Sequence, residues 1–186
     1  LPPATCHLPP GAGGVPDVVL VERGELASGS TARAAGGVRA QFSDELNIRL
    51  GARSLEAFAR FGEETGHDIG LHRVGYVFLL SRPHWIPRPY ESMERRAPAL
   101  LDVRRTGGRA GLYEITPDHN ALIGESEQIS RFRYATGFSG HGFLQGPAVG
   151  EVVRDLYLGH DPFVDITPLR AERFAADAPR PEVNLV

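Results

Sequence analysis

Lysine is absent from this chain of 186 residues, and all 20 basic residues are arginine. No lysine amine is on hand for covalent or proton-transfer chemistry. Together with abundant alanine, glycine and proline, the bias points to a source genome of skewed composition. A single cysteine, Cys6, excludes an internal disulfide framework and suits a reducing, cytoplasmic setting. No run of about 18 apolar residues occurs, so no membrane span is expected. The formal net charge of −3 gives no reason to expect nucleic acid or an acidic membrane surface. His67, His72, His84, His119 and His160 show neither metal spacing nor a cysteine cluster, so no metal site is expected. No Gly-x-Ser-x-Gly elbow is present. The start lacks an initiator Met and the charged-then-apolar order of a signal peptide, and reads as the middle of a longer sequence.

What is present has the size and balance of one globular domain, with 41% hydrophobic and 23% charged residues. Residues 1–16 hold five prolines and three glycines and read as an irregular segment. Asp17 to Glu22 is a continuous β-branched run of the kind buried on both faces of a parallel sheet. Residues 24–37 read as small-residue coil. From Ser43 the period changes, and Leu46, Leu50, Ser54, Leu55, Phe58 and Phe61 fall on one helical stripe. Ser43 with the acidic Asp44 and Glu45 behind it makes the start of that helix, and Gly62 or Gly66 its stop.

Leu71 to Leu80 reads as a strand, Tyr90 to Leu100 as a short helix, and Arg104 to Arg109 as a turn. Gly111 to Thr116 alternates like a strand, and Pro117 to Asn120 is turn chemistry. Residues 121–124 and 131–136 predict two more strands. Val149 to Leu158 predicts an amphipathic helix, with Val149, Val152, Val153, Leu156 and Tyr157 on one face and the helical segment opening near Pro147. The tail from Asp161 carries four prolines and reads as a surface wrap.

The stretch with most chemical content is GFSGHGF, residues 137–143, between a strand and a helix. Its three glycines let backbone N–H groups come close to a ligand, and the helix start favours anions or electron-rich rings. Glu22, ending the β-branched run, matches the acidic residue that receives a ribose in dinucleotide-binding folds. No Gly-x-Gly-x-x-Gly precedes it at the usual spacing, however, so an ordinary acid at a strand end also accounts for it.

Taken together, VVLVERGELASGSTARAAGG (residues 18–37), GLYEITPDHN (residues 111–120), YATGFSGHGF (residues 134–143) and PAVG (residues 147–150) resemble the FAD-dependent amine oxidoreductases of the D-amino-acid oxidase-like group. That group includes sarcosine oxidase, glycine oxidase and dimethylglycine dehydrogenase. The resemblance covers roughly residues 16–82 and 88–160. It implies an α/β fold, with a partial Rossmann-like FAD-binding domain of the glutathione-reductase-like, D-amino-acid oxidase type and remnants of a mixed-sheet substrate domain. Residues 17–82 and 110–160 would belong to the FAD-binding domain, about 67–109 to the remnants, and 161–186 to a proline-rich tail.

The resemblance also implies roles. Glu22 would hold the ribose, with Arg23 beside the adenine. Ser28, Gly29, Ser30 and Thr31 would follow the diphosphate and ribityl chain. Ala35, Gly36 and Gly37 would pass near the isoalloxazine. Gly137, Ser139, Gly140, His141, Gly142 and Phe143 would cover the pyrimidine end, where backbone N–H groups stabilise charge on the reduced ring.

His141 and Tyr113 match positions on the substrate side of the flavin. Leu144 stands where the family places a carboxylate-holding lysine, and the family's clamp arginine would align near Phe42. Arg39 is then the nearest guanidinium, able to make a bidentate contact with a substrate carboxylate. The family's flavin-tethering cysteine would fall near Gly111, which implies non-covalent FAD. The absence of an oxygen-activating lysine makes a dehydrogenase with another acceptor more natural than an oxidase.

The chain departs from the family in length and in missing the first glycine-rich loop and most of the middle, which reads as a truncated, internally deleted product. Two function classes therefore stand. One is a flavin-dependent oxidoreductase acting on the C–N bond of a secondary or tertiary amine or amino acid, of the sarcosine, dimethylglycine or glycine kind. The other is a non-catalytic remnant or interaction module with an incomplete flavin site. For single residues the plain alternatives are a backbone-bonding role for His141, half-buried packing for Tyr113, and a solvated or structural role for Arg39.

Overall fold

The computed structural model describes residues 21–25, 27–76, 98, 102, 110–176 and 179–182. The chain divides into two compact units, one formed by Leu1–Ile69 with Gly111–Val186 and the other by Gly70–Ala110.

In the first unit, helix α1 spans Glu45–Thr65. Its N-cap is Asp44 rather than Ser43: the Asp44 carboxylate accepts from the Leu46 and Asn47 amides at 2.9 and 3.4 Å. Gly66, at φ 74°, closes the far end by donating to the Gly62 carbonyl at 2.9 Å. The stripe of α1 is buried only in its first three turns, through Leu46, Leu50 and Ser54. Leu55 and Phe58 are half-buried and Phe61 is exposed.

Strands β1 (Leu122–Glu125) and β2 (Arg133–Thr136) pair antiparallel, with Ile123 opposite Ala135 and Glu125 opposite Arg133. The Glu125–Arg133 pair is also ionic, at 2.9 Å.

Helix α2 runs from Gly142 to Leu158, starting five residues before Pro147 instead of beside it. Proline inside a helix removes one backbone donor and crowds the preceding turn, at a cost of about 3 kcal/mol. Here α1 relieves the distortion from outside. The Ala148 amide, next after Pro147, donates to the hydroxyl of fully buried Ser54 at 3.1 Å. Val149 and Val152 face the core, Val153 and Leu156 lie partly against it, and Tyr157 is exposed, with Arg133 over its ring at 5.5 Å.

One core joins these elements: Leu46 and Leu50 from α1, Ala148, Val149 and Val152 from α2, Ala121 and Ile123 around β1, and Val164, Ile166 and Leu169 from beyond α2. Each such fully buried aliphatic side chain contributes about 1.5–3 kcal/mol. The tail is therefore no surface wrap. Val164, Ile166 and Leu169 enter the core, the last from a 3-10 turn at Thr167–Leu169 that accommodates proline at its start, and a second turn at Ala171–Phe174 buries Arg173.

Arg173 completes the anchoring. Its guanidinium meets Asp118 at 2.7 and 2.9 Å with both side chains essentially fully buried, and it also donates to the Asn120 carbonyl at 2.9 Å. Burial works to raise the Asp118 carboxyl, but hydrogen bonds from Arg173 and the Asn120 and Arg180 amides outweigh it. The group is held below the usual carboxylate range.

Several sequence expectations need correction. Gly111 to Thr116 alternates but forms no strand, because no neighbouring strand pairs with it among the described residues. Leu112, Tyr113 and Ile115 stay exposed. Residues 71–76 form no strand either. Val21 and Glu22 are exposed and irregular. Residues 17–20, 77–80, the helix expected over 90–100 (except Pro98) and the turn over 104–109 lie outside the described residues. The turn at 117–120 forms, with His119 donating to the Thr116 carbonyl at 3.1 Å. Helices and a small antiparallel sheet together make a mixed α/β structure, and no parallel pairing occurs among the described residues.

Two outcomes follow from this packing. Ser54→Ala leaves the Ala148 amide without its buried acceptor and should destabilise the fold by about 1–3 kcal/mol, read as a lower urea midpoint with unchanged slope. Arg173→Ala strands the Asp118 carboxylate and should cost about 3–5 kcal/mol at pH 7. Because the folded Asp118 titrates below its unfolded value, its stabilisation is present above about pH 4 and is lost as pH falls through the folded value. The gap between wild type and Arg173→Ala should accordingly narrow in denaturation curves taken near pH 3.

Candidate functional site

The start of α2 is built by the loop the sequence singles out. Gly137 (φ 65°), Ser139 (φ 53°) and Gly140 (φ 93°) all take left-handed backbone, which lets the chain reverse between β2 and α2. For Ser139, with a side chain, that conformation is strained, and its polar groups hold it there. The Ser139 amide donates to the Glu114 carbonyl at 2.9 Å, and its buried hydroxyl accepts from the Thr116 amide at 3.2 Å. The Glu114 carboxylate accepts from the Gly137 amide at 3.1 Å and the Thr136 hydroxyl at 3.2 Å. Segment 114–116 thus clamps the loop although it forms no strand.

The ring of Tyr113, one residue earlier, lies close against the loop at Gly140. A methyl group at Gly140 would stand 2.9 Å from the Tyr113 ring. The ring is otherwise 65% exposed.

His141 occupies the N-cap position of α2 and is only 4% exposed. Its side chain caps nothing. Its amide donates to the Phe138 carbonyl at 2.9 Å, and its carbonyl accepts from the Gln145 amide at 3.1 Å. The ring meets the edge of Phe42 at 5.0 Å between centroids. Arg39 lies over the same Phe42 ring, 5.1 Å from its centroid, and is 6% exposed.

The structure therefore brings Arg39 and His141 together with Phe42 between them, a residue the sequence reading gave no role. The buried Nη2 of Arg39 has no hydrogen-bond partner among the described residues. Burial is the main force holding His141 below the usual imidazole range, helped by the charge of Arg39 and, less, of His119; Glu182 opposes them. At neutral pH the pair is a cation with no ion-pair partner among the described residues, beside an uncharged imidazole.

Segment 39–42 reaches this position because α1 has glycine where it passes. A methyl group at Gly51 would stand 2.8 Å from the Arg39 carbonyl and 3.2 Å from Phe42. Phe143, on the first turn of α2, stacks on Phe58 of α1 at 5.9 Å and stays partly exposed.

The earlier candidates are not gathered in the same way. Glu22 accepts from the nearby Gly24 amide at 2.7 Å, and Glu22, Arg23, Ser28, Gly29, Thr31, Ala35, Gly36 and Gly37 are exposed. Gly29 and Gly36 have left-handed backbone with open space beside them. Ser30 ties this segment to the other motif by donating to the Leu112 carbonyl at 2.7 Å.

Sequence reasoning also missed a buried polar chain beneath the site. Gln145 donates to the Asn47 carbonyl oxygen at 3.0 Å, and Asn47 donates to Asn120 at 2.6 Å and to Glu182 at 3.3 Å. Asn47 lies on the buried face of α1, so a polar residue beside an apolar stripe was the available signal; Glu182 offered none. No group of three or more His, Cys, Asp or Glu among the described residues could hold a metal, and no helix among them is long and apolar enough to cross a membrane.

Comparison with known proteins places the chain in a family. Residues 6–92 and 82–156 match the DAO family, described as FAD dependent oxidoreductase. FAD-dependent oxidoreductase domain-containing protein 1 of Bos taurus is 35% identical over 114 residues, 60% of this chain and 22% of that protein. The Xenopus laevis protein of the same name is 32% identical over 126 residues, 67% of this chain and 24% of that protein. N-methyl-L-tryptophan oxidase of Salmonella typhimurium is 38% identical over 68 residues, 37% of this chain and 18% of that enzyme. The chain spans a quarter or less of the length of these curated relatives. No solved structure matches it. The chain belongs to the DAO family of FAD dependent oxidoreductases.

Proposed function

We propose that this chain supplies the substrate-facing part of a flavin-dependent oxidoreductase acting on the C–N bond of a secondary or tertiary amine or amino acid. The observation that carries the reading is the buried Arg39 guanidinium, with Nη2 unpartnered, beside a His141 that burial keeps neutral. A buried donor without a partner is costly unless a ligand completes it. A carboxylate is the natural complement to a guanidinium, which argues for an N-substituted amino acid over a simple amine. The similarity to N-methyl-L-tryptophan oxidase points the same way.

The residues fit the cofactor the family implies. Gly137 to Phe143 present an uncapped helix start, suited to the electron-rich pyrimidine end of a flavin held without a covalent bond. Glu22 would receive the ribose, Arg23 would lie by the adenine, and Ser28, Gly29, Ser30 and Thr31 would follow the diphosphate. Ala35, Gly36 and Gly37 would line the ring. Bound flavin supplies two-electron acceptance from the carbon beside the amine nitrogen.

The chain's own side chains bind and orient. Arg39 grips the carboxylate, and Phe42 packs between Arg39 and His141. His141, uncharged, leaves the carboxylate to Arg39 and offers an imidazole lone pair that can take a proton from the substrate ammonium. Tyr113 covers the loop at Gly140. With no lysine in this chain, an acceptor other than oxygen is the favoured partner.

Purified protein incubated with FAD should show the flavin bands after desalting, and these should bleach on anaerobic addition of an N-methyl amino acid. A protein that stays colourless overturns the reading and leaves an interaction module. Arg39→Leu should raise KM for a carboxylated amine by about 10- to 100-fold, the worth of a charge-assisted contact, with a smaller change in kcat. Gly140→Ala, which drives a methyl group onto the Tyr113 ring from a left-handed backbone, should weaken FAD binding by about tenfold or more in a fluorescence titration.

A further inference from the structure

We infer that Glu182, far from the site in sequence, is a positioning residue that fixes how the Arg39–Phe42 segment lies against His141. The inference rests on the reading of Arg39 and His141 as the substrate-facing pair.

The Glu182 carboxylate is 1% exposed and fully engaged at the start of α1. One oxygen accepts from the Ser43 amide at 3.1 Å and from the Ser43 hydroxyl. The other accepts from the Asp44 amide at 3.2 Å and from Asn47 Nδ2 at 3.3 Å. Its own backbone is tied down as well. The Glu182 amide donates to the Asp118 carbonyl at 3.0 Å, the Arg180 amide donates to the Asp118 carboxylate at 3.3 Å, and Asn120 donates to the Arg180 carbonyl.

Capping alone does not account for this arrangement, because Asp44 already caps α1 through Leu46 and Asn47. What Glu182 adds is a link between both sides of the Phe42–His141 contact. On one side it holds Ser43, the residue bonded to Phe42. On the other it holds Asn47, which accepts from Gln145, whose amide in turn donates to the His141 carbonyl. The two routes close on the 5.0 Å contact between the Phe42 and His141 rings. A carboxylate engaged by several donors has little freedom, so the spacing at that contact is set by Glu182.

Charge adds to geometry. The charged groups acting on His141 are Arg39 and His119, which disfavour its protonation, and Glu182, which favours it. Glu182 is thus the one negative influence among them.

The test uses the full chain without added flavin, following the His141 ring by NMR across a pH titration. In Glu182→Gln the midpoint of His141 should move to lower pH, and its ring resonances should shift as the Phe42 ring current changes. Ser43→Ala keeps the carboxylate and its charge but loosens the hold beside Phe42. It should shift the ring resonances of Phe42 and His141 with little change in midpoint, and it carries the test alone if Glu182→Gln does not fold. Ring resonances and midpoint equal to wild type in the folded variants would overturn the inference and reduce Glu182 to a helix cap. In flavin-loaded protein, Glu182→Gln should raise KM about tenfold with kcat changed less, as expected for a displaced binding group. A protein that never takes up flavin fails the functional reading but leaves the NMR measurement intact, so the two failures are distinguishable.

Discussion

The seam between α1 and α2 is the constraint on which the remaining structure depends. It is made of unlike parts that fit only in one register. Leu46 and Leu50 meet Val149 and Val152 in the apolar core. Ser54 receives the Ala148 amide, Asn47 receives Gln145, and at the solvent edge Arg53 grips Glu151 through two contacts of 2.8 and 2.9 Å. Sliding one helix by a turn would leave a buried amide, a buried carboxamide and the proline-distorted turn of α2 without their partners. Apolar contacts alone tolerate such slips; buried hydrogen bonds do not. Because Arg39 and Phe42 rest against α1 at Gly51, and His141 begins α2, the register of this seam sets where the candidate site residues meet.

The parts of this fold legible in sequence are those whose stability is local. Helix α1 announces itself through its apolar stripe and an acidic start, and β1 and β2 through short apolar runs around a turn. Gly111 to Thr116 shows why alternation is insufficient: the pattern of a strand is present, but without a pairing neighbour its alternate side chains remain in solvent. The tail fails for the converse reason. Its prolines suggested a loose surface segment, yet proline costs little in short 3-10 turns, and Val164, Ile166 and Leu169 between them belong to the core. The early start of α2 was hidden because glycines at its first turn and Pro147 inside it oppose helix locally, and only α1 supplies the compensating contact.

The candidate site divides along the same line. The loop over 137–143 was legible because its glycines and its place before a helix are written in consecutive residues. Arg39 and His141 were each legible as candidates through family resemblance, but their meeting across Phe42 was not, since about a hundred residues, including α1, β1 and β2, separate them. Ser139 shows a further limit. Within a glycine-rich loop it reads as a ligand contact, whereas its hydroxyl and amide are turned inward to hold the strained backbone that lets the loop exist. Glu114, which carries the other half of that clamp, lies inside the motif over 111–120 but was given no role there.

The two most deeply buried acids among the described residues have their donors, whereas Arg39 Nη2, Arg133 Nε and Glu172 Oε2 are buried without a hydrogen-bond partner there. Asp118 has Arg173, and Glu182 has the start of α1, so neither carboxylate is left to meet Arg39. An arginine 94% removed from solvent, with Asp118 and Glu182 committed elsewhere, lowers stability and would be replaced at little structural loss by an apolar residue against Phe42. In the proposed reading the same isolation would make the guanidinium selective: a substrate carboxylate would meet a donor with no partner among the described residues, in surroundings dry enough to strengthen the contact. In that reading a neutral His141 would sharpen the effect, because a second cation would demand a counter-ion from the protein and would blunt discrimination between carboxylated and simple amines. Under the proposed function, the stability surrendered at one buried arginine would be the physical basis of substrate choice, and the polar chain from Glu182 to Gln145 would keep that arginine's neighbours in place.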